Sequence, residues 1–250
     1  MNIGTLRVGL AVFGCSLGLA ATPALAFGCN TTTDTTNSPY SASKYKTVID
    51  NSQALQVQST STCLTTADMQ SFKIDIDNWR LDSGNMLFAF TGGNKSDRVE
   101  LRGKSFSGSA TGKTWSGKIK LQNGGSYSDE FTVGQIFGES TQDPILRLEF
   151  YASRSGVSNH IWAVYRTGTG SAAVEYFDLG PATTSSYTQA TMEYGSNNRI
   201  QVTYGSTVHD FTTNFGYWDN SSKSVYFKAG CYLQDAGNCS VTFSSLTFSS

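Results

Sequence analysis

The sequence predicts an all-β fold: a β-jelly roll sandwich of two antiparallel sheets, one of them concave and open as a groove. Three observations predict it. Short stretches that alternate apolar and polar residues recur from residue 72 to residue 248, the period-two pattern of half-buried strands. Clusters rich in Gly, Asn, Ser and Thr separate them, as at 91–94, 123–126, 168–170 and 195–198. No long amphipathic helix and no internal repeat breaks the pattern, and many short strands in one domain imply two packed sheets.

Taken in order, residues 1–26 read as an export signal that is removed. Arg7 is the one charge before Asp34, residues 8–21 are apolar or small, and Ala24-Leu25-Ala26 has the small-x-small form of a cleavage site. The apolar run is too short and too poor in bulky residues to span a bilayer. Residues 27–250 are then expected to form a single exported domain, extracellular or periplasmic, soluble and monomeric, with no membrane partner. Residues 27–45, rich in Thr, Asn and Ser, read as an extended or loose entry segment, and 64–69 as a short helical turn. Strands are expected over 72–79, 86–90, 99–101, 115–121, 131–137, 145–151, 161–166, 174–179, 199–204, 224–233 and 241–248.

Cys15 falls in the leader, which leaves Cys29, Cys63, Cys231 and Cys239. An even set in an exported chain favours two disulfides. Of the three connectivities, Cys29–Cys63 and Cys231–Cys239 each close a short local loop and are preferred. No pair has CxxC spacing and His160 and His209 are the only histidines, so a metal site is not expected. The 18 Lys and Arg nearly balance the 19 Asp and Glu, which gives nucleic-acid binding no support. Asn30, Asn94, Asn220 and Asn238 open Asn-x-Ser/Thr sites, relevant only in a glycosylating host.

Three strands carry candidate chemistry. In Tyr226-Phe-Lys-Ala-Gly-Cys-Tyr232, one face holds Tyr226, Lys228, Gly230, Tyr232 and Gln234, and the other Phe227, Ala229, Cys231 and Leu233. The second set suits a core. The first reads either as a solvated face or as a floor for an anionic ring-shaped ligand. In Arg98-Val-Glu-Leu-Arg102, Arg98, Glu100 and Arg102 share a face, either as an ion-pair ladder or as two guanidiniums oriented by the glutamate toward a carboxylate. In the third strand Gln135 and Phe137 share a face, and Gln135 alone reads as an ordinary hydrogen-bonded residue.

Together, Arg-Val-Glu-Leu-Arg at 98–102, Gln-Ile-Phe at 135–137 and Tyr-Phe-Lys-Ala-Gly-Cys-Tyr at 226–232 resemble the three motifs of polysaccharide lyase family 7, the alginate lyases, in the family's order. The resemblance implies a jelly roll with a substrate groove on one sheet and β-elimination on a 1,4-linked uronic acid polymer. It implies that Arg98 and Gln135 contact the substrate carboxylate, that Tyr232 is catalytic, and that Glu100, Arg102, Lys228 and Tyr226 line the groove. The family usually has Gln-x-His in the second motif, and Phe137 stands at that histidine position.

The chemistry is consistent with these residue types. β-Elimination removes the C5 proton alpha to a carboxylate and expels O4. Arginine and an amide can neutralise the carboxylate, and a tyrosine near cations can act as base and acid. No metal or organic cofactor is needed. In mannuronate and glucuronate H5 and O4 are syn, so one tyrosine serves both steps. In guluronate they are anti, and a second group is wanted that Phe137 cannot supply. His160, opening the strand after 145–151, reads either as a surface or capping histidine or, if it swings into the groove, as the alternative base. The expected substrate is alginate at mannuronate-type bonds, or glucuronan. The rival expectations are a non-catalytic carbohydrate-binding sandwich or an inactive lyase homologue.

Overall fold

The computed structural model describes residues 28–58, 61–121 and 127–249, so the expected leader 1–26 lies outside the described residues. Eighteen strands occur among the described residues: β1 (Thr31–Thr33), β2 (Ser52–Val57), β3 (Ser61–Thr65), β4 (Lys73–Asp75), β5 (Trp79–Asp82), β6 (Asn85–Gly93), β7 (Arg98–Gly103), β8 (Phe106–Ser107), β9 (Lys113–Leu121), β10 (Glu130–Gly138), β11 (Asp143–Arg154), β12 (Val157–Arg166), β13 (Val174–Pro181), β14 (Thr188–Tyr194), β15 (Ile200–Tyr204), β16 (Thr207–Phe211), β17 (Ser224–Leu233) and β18 (Gly237–Phe248). Three short α-helices accompany them, α1 (Ser43–Asp50), α2 (Thr66–Gln70) and α3 (Phe215–Trp218), with 3-10 turns at Pro39–Ser41 and Ser196–Asn198.

The strands build two antiparallel sheets packed as a jelly-roll sandwich. One, called the outer sheet, runs β1-β4-β5-β6-β18-β9-β14-β15-β16; the other, called the groove sheet after the groove expected on it, runs β13-β12-β11-β10-β17-β7-β2-β3, with β8 paired to β17. Alternating residues of both sheets meet between them. Phe88, Trp115, Phe131, Val133, Phe227 and Phe243 are all 1% exposed or less, and the rings of Phe88 and Trp115 each pack edge-on against Phe243. Removing this apolar surface from water drives the association of the sheets.

Two local expectations are refined. Within the entry segment, residues 28–45 include the short extended strand β1 and run into α1, whose Tyr45, Val48 and Ile49 are fully buried. The Tyr45 hydroxyl donates to the Phe243 carbonyl at 2.6 Å and accepts from the Met86 amide at 3.1 Å. A buried i, i+3, i+4 stripe makes the helix, and its tertiary partners stabilise what eight residues could not hold alone. The expected strand 72–79 is divided into β4 and β5 by a turn. Buried Asp75 accepts from the Asn78 side chain at 2.9 Å and closes that turn. The structure also adds β2, β3, β14 and β16, and the helical turn expected at 64–69 forms as α2, capped by Thr65 and Asp68.

Both preferred disulfides are present, Cys29–Cys63 and Cys231–Cys239. The second joins β17 of the groove sheet to β18 of the outer sheet, with both cysteines buried. Loop-closure entropy assigns about 2.5 kcal/mol to a bond across this separation of 8 residues. The double substitution Cys231→Ala and Cys239→Ala should lower the unfolding free energy by that order in urea titrations. An unchanged midpoint and slope would remove the cross-link from the protein's stability.

Candidate active site

β17 organises the groove face. On β7, Tyr232 stands opposite Arg98, Gly230 opposite Glu100 and Lys228 opposite Arg102. On β10, Tyr232 stands opposite Thr132, Lys228 opposite Gln135 and Tyr226 opposite Phe137. Facing residues in an antiparallel ladder share a face, so the three motifs converge on one side of one sheet. Gly230 has φ of 145°, and a Cβ there would lie 2.1 Å from the Val99 carbonyl oxygen. Only glycine permits this approach. The pairing of β10 slips between Thr132 and Gly134, which places Thr132 and Gln135 on the same face although they are three residues apart.

Glu100 is the buried hub of the face. At 1% exposure it accepts from Gln135 Nε2 at 2.5 Å and from Lys228 Nζ at 3.2 Å, and Arg98 Nη1 lies 3.6 Å from Oε2. Lys228 is 2% exposed, and burial pushes its pKa down while Glu100 opposes the shift. Glu100, Lys228 and Tyr226 therefore lie beneath the groove surface rather than lining it. Glu100 orients Arg98 but not Arg102, whose Nη2 pairs with Glu139 Oε1 at 2.5 Å. Glu139 Oε2 accepts from Ser105 and Ser224 at 2.7 Å, and these bonds, Ser105 first, hold its carboxyl below the usual range.

Gln135 differs from expectation in a specific way. It is fully buried and its amide nitrogen is committed to Glu100, because an ionised carboxylate can only accept. Its Oε1 is buried and accepts no hydrogen bond. Like Glu100 and Lys228, Gln135 therefore lies beneath the surface, where it supports Glu100 instead of reaching a substrate carboxylate.

The two phenols differ. Tyr232 is half-buried, with the Arg98 guanidinium 4.2 Å over its ring. Tyr226 is 5% exposed, lies under Arg102 at 4.2 Å and packs against Phe137 at 5.4 Å, and burial pushes its hydroxyl up to about 12. Phe137 also stands 5.1 Å from Lys228 Nζ, so the wall beside Gln135 is aromatic.

A further network was not assigned from sequence. Arg147, opposite Gln135 on β11, donates to Gln234 Oε1 at 2.8 Å and lies 3.0 Å from Glu149 Oε1. Gln234 in turn donates to Thr132 at 3.2 Å, and fully buried Glu149 accepts from Thr132 at 3.2 Å and Tyr151 at 2.9 Å. Burial pushes Glu149 up in spite of Arg147. The signal was present: Arg147 and Glu149 alternate within 145–151, and Gln234 shares the face of Tyr232. His160 is not brought to Tyr232. It stands beyond β10 and β11, three strand spacings or about 14 Å from β17, and its Nδ1 holds Asp178 at 2.7 and 2.9 Å. His209 stacks on Phe177 at 3.7 Å, away from the motifs.

A two-sheet jelly roll with this cationic and phenolic face has the form of a polysaccharide lyase. The chain belongs to the alginate lyase family, whose model, described as Alginate lyase, matches residues 22–250. Among solved structures, alginate lyase AlyC3 is similar at 20% identity and a TM-score of 0.72, over 87% of this chain and 98% of its own. AlyC3 in complex with dimannuronate gives a TM-score of 0.71 at 20% identity, over 87% of this chain and 97% of that one. Alginate lyase A1-II′, a member of polysaccharide lyase family 7, gives 0.64 at 19% identity over 82% of this chain and 96% of its own. No curated protein matches.

Glu100→Gln leaves Lys228 buried without its counter-charge. Breaking a buried pair in this way costs about 3–5 kcal/mol, which urea unfolding should register. A loss within the range of an exposed pair, about 0–1 kcal/mol, would show that Glu100 is not the hub.

Proposed function

We propose that this chain is a secreted lyase that cleaves a 1,4-linked uronic acid polymer by β-elimination, with Tyr232 as base and acid. The observation that carries the reading is the Arg98–Tyr232 pair: a guanidinium 4.2 Å over the more exposed of the two groove phenols. The partly exposed Arg98 lies 3.6 Å from Glu100, beyond hydrogen-bond distance, so its guanidinium retains donor capacity.

In the proposed reaction, Arg98 takes the substrate carboxylate and stabilises the charge that grows as C5 loses its proton. The Tyr232 phenolate accepts that proton. The electron pair of the C5–H bond forms the C4–C5 double bond as the C4–O4 bond breaks, and the Tyr232 hydroxyl returns a proton to O4. Gln135, buried beneath the groove surface, donates to Glu100 and so helps hold the carboxylate that orients Arg98. Tyr226, whose hydroxyl stays protonated to about 12, is a packing residue and not the base.

Phe137 sets the substrate preference in this reading. The fold accommodates more than one ligand: AlyC3 is described with dimannuronate, and a variant of A1-II′ with a product designated GGG. In this chain an aromatic wall stands where a second proton-transfer group would serve an anti elimination, and His160 is held elsewhere by Asp178. The substrate is therefore a syn one, mannuronate-type alginate first and glucuronan second.

Tyr232→Phe should fold normally and lose about 10²–10⁴-fold in turnover, read from the ultraviolet absorbance of the unsaturated product. Tyr226→Phe should keep the wild-type pH profile. A fully active Tyr232→Phe protein overturns the assignment, and binding of uronate polymers without any product absorbance assigns the chain to the non-catalytic reading.

Poly-mannuronate should be cleaved and poly-guluronate left nearly intact. Phe137→His should retain the first activity and gain some of the second. Efficient cleavage of poly-guluronate by the unmodified protein would sink the stereochemical argument.

A further inference from the structure

The proposed chemistry uses β7, β17 and β10, and the same face of the sheet continues across β11, β12 and β13. There it carries a second cluster. Tyr151, Trp162 and Val164 pack together apart from the main core, with Val157 and Val174 against them. The register connects this cluster to the site: Tyr232 faces Thr132, Thr132 faces Glu149, Glu149 faces Trp162, and Val164 faces Tyr176.

Arg154 closes over the cluster. Its guanidinium lies 3.6 Å over the Tyr176 ring, 4.9 Å over Tyr151 and 5.4 Å over Trp162. Tyr176, on edge strand β13, is 43% exposed. Two donors here, Arg154 Nε and Trp162 Nε1, are buried and have no hydrogen-bond partner. Among the described residues no carboxylate lies within ion-pair distance of Arg154. Asp178 is turned to His160 Nδ1 and to the Gly180 amide, and Glu149 to Arg147, Thr132 and Tyr151. The result is an arginine pre-oriented by ring stacking beside an exposed aromatic ring, with no described carboxylate in ion-pair contact; the nearby Glu130 acts on Tyr151.

We propose that this cluster is a distal binding site for the polymer held at Tyr232. Arg154 takes the carboxylate of a uronate unit remote from the scissile bond, and the exposed side of Tyr176 takes the face of a sugar ring. The inference rests on the uronate-lyase reading for its ligand. Its chemistry follows from the pieces: a guanidinium fixed on an aromatic plane keeps its planar fork ready for a carboxylate, and an aromatic face packs on the apolar face of a sugar. β13 lies four strand spacings from β17, about 19 Å, so the site is reached only by a chain extending several sugars from Tyr232.

Calorimetric binding in the Tyr232→Phe background tests this without turnover, using poly-mannuronate and its disaccharide as ligands and a neutral glucan as control. Adding Arg154→Ala should weaken polymer binding about tenfold and leave disaccharide binding unchanged. Equal polymer affinity, or equal loss on both ligands, overturns the distal site. Should Arg154→Ala fail to fold, the exposed Tyr176→Ser decides by the same comparison, with loss on the polymer alone in favour and no loss against. Absence of product from wild-type protein with every uronate polymer would defeat the lyase reading, while the binding comparison would still decide the distal site.

Discussion

The groove face depends on one buried carboxylate. Glu100 lies out of reach of water, and a carboxylate there is tolerable only when its oxygens are occupied by donors and charge. Its partners come from three adjacent strands: Arg98 from β7, Gln135 from β10 and Lys228 from β17. A single desolvated anion thus fixes the lateral order and side-chain directions of the strands that carry the chemistry. It also decides what each partner has left to offer. Gln135 and Lys228 are withdrawn under the surface, and Arg98 remains partly exposed and stacked on Tyr232.

The opposite face of the same strand supplies the rigidity. Phe227, Ala229, Cys231 and Leu233 are buried against the outer sheet, and Cys231 is bonded to Cys239 on β18. Tyr232 therefore stands next to a residue that is both packed and covalently tied, on a central strand rather than on a loop, which favours precise placement of a proton-transfer group. Gly230 adds the close approach of β17 to β7 that sets Tyr232 opposite Arg98.

Alternation within single strands is legible in the residues alone. It assigns Phe227, Ala229, Cys231 and Leu233 of β17 to the core, places Arg98, Glu100 and Arg102 together, and sets Gln135 beside Phe137. Local loop length is enough to pair the cysteines. Alternation misleads at 72–79, where buried Asp75 forms a turn, and the buried stripe of Tyr45, Val48 and Ile49 that makes α1 was not read from the sequence. The network of Thr132, Arg147, Glu149 and Gln234 escapes because it spans three strands and a bulge that places Thr132 and Gln135 on one face against simple parity.

By itself the sequence determined the sandwich class, the three motif strands, their faces and the aromatic residue at position 137, because these follow from period-two patterning and residue type along a continuous chain. The tertiary structure alone decided the partners: that Glu100 serves Lys228, Gln135 and Arg98 but not Arg102, that Arg102 belongs to Glu139, that Gln135 turns its nitrogen inward, and that His160 stands with Asp178 away from Tyr232. These choices depend on strand order and register. A side chain's hydrogen-bond partners are set by distances between strands far apart in sequence, and no periodicity within one strand encodes them.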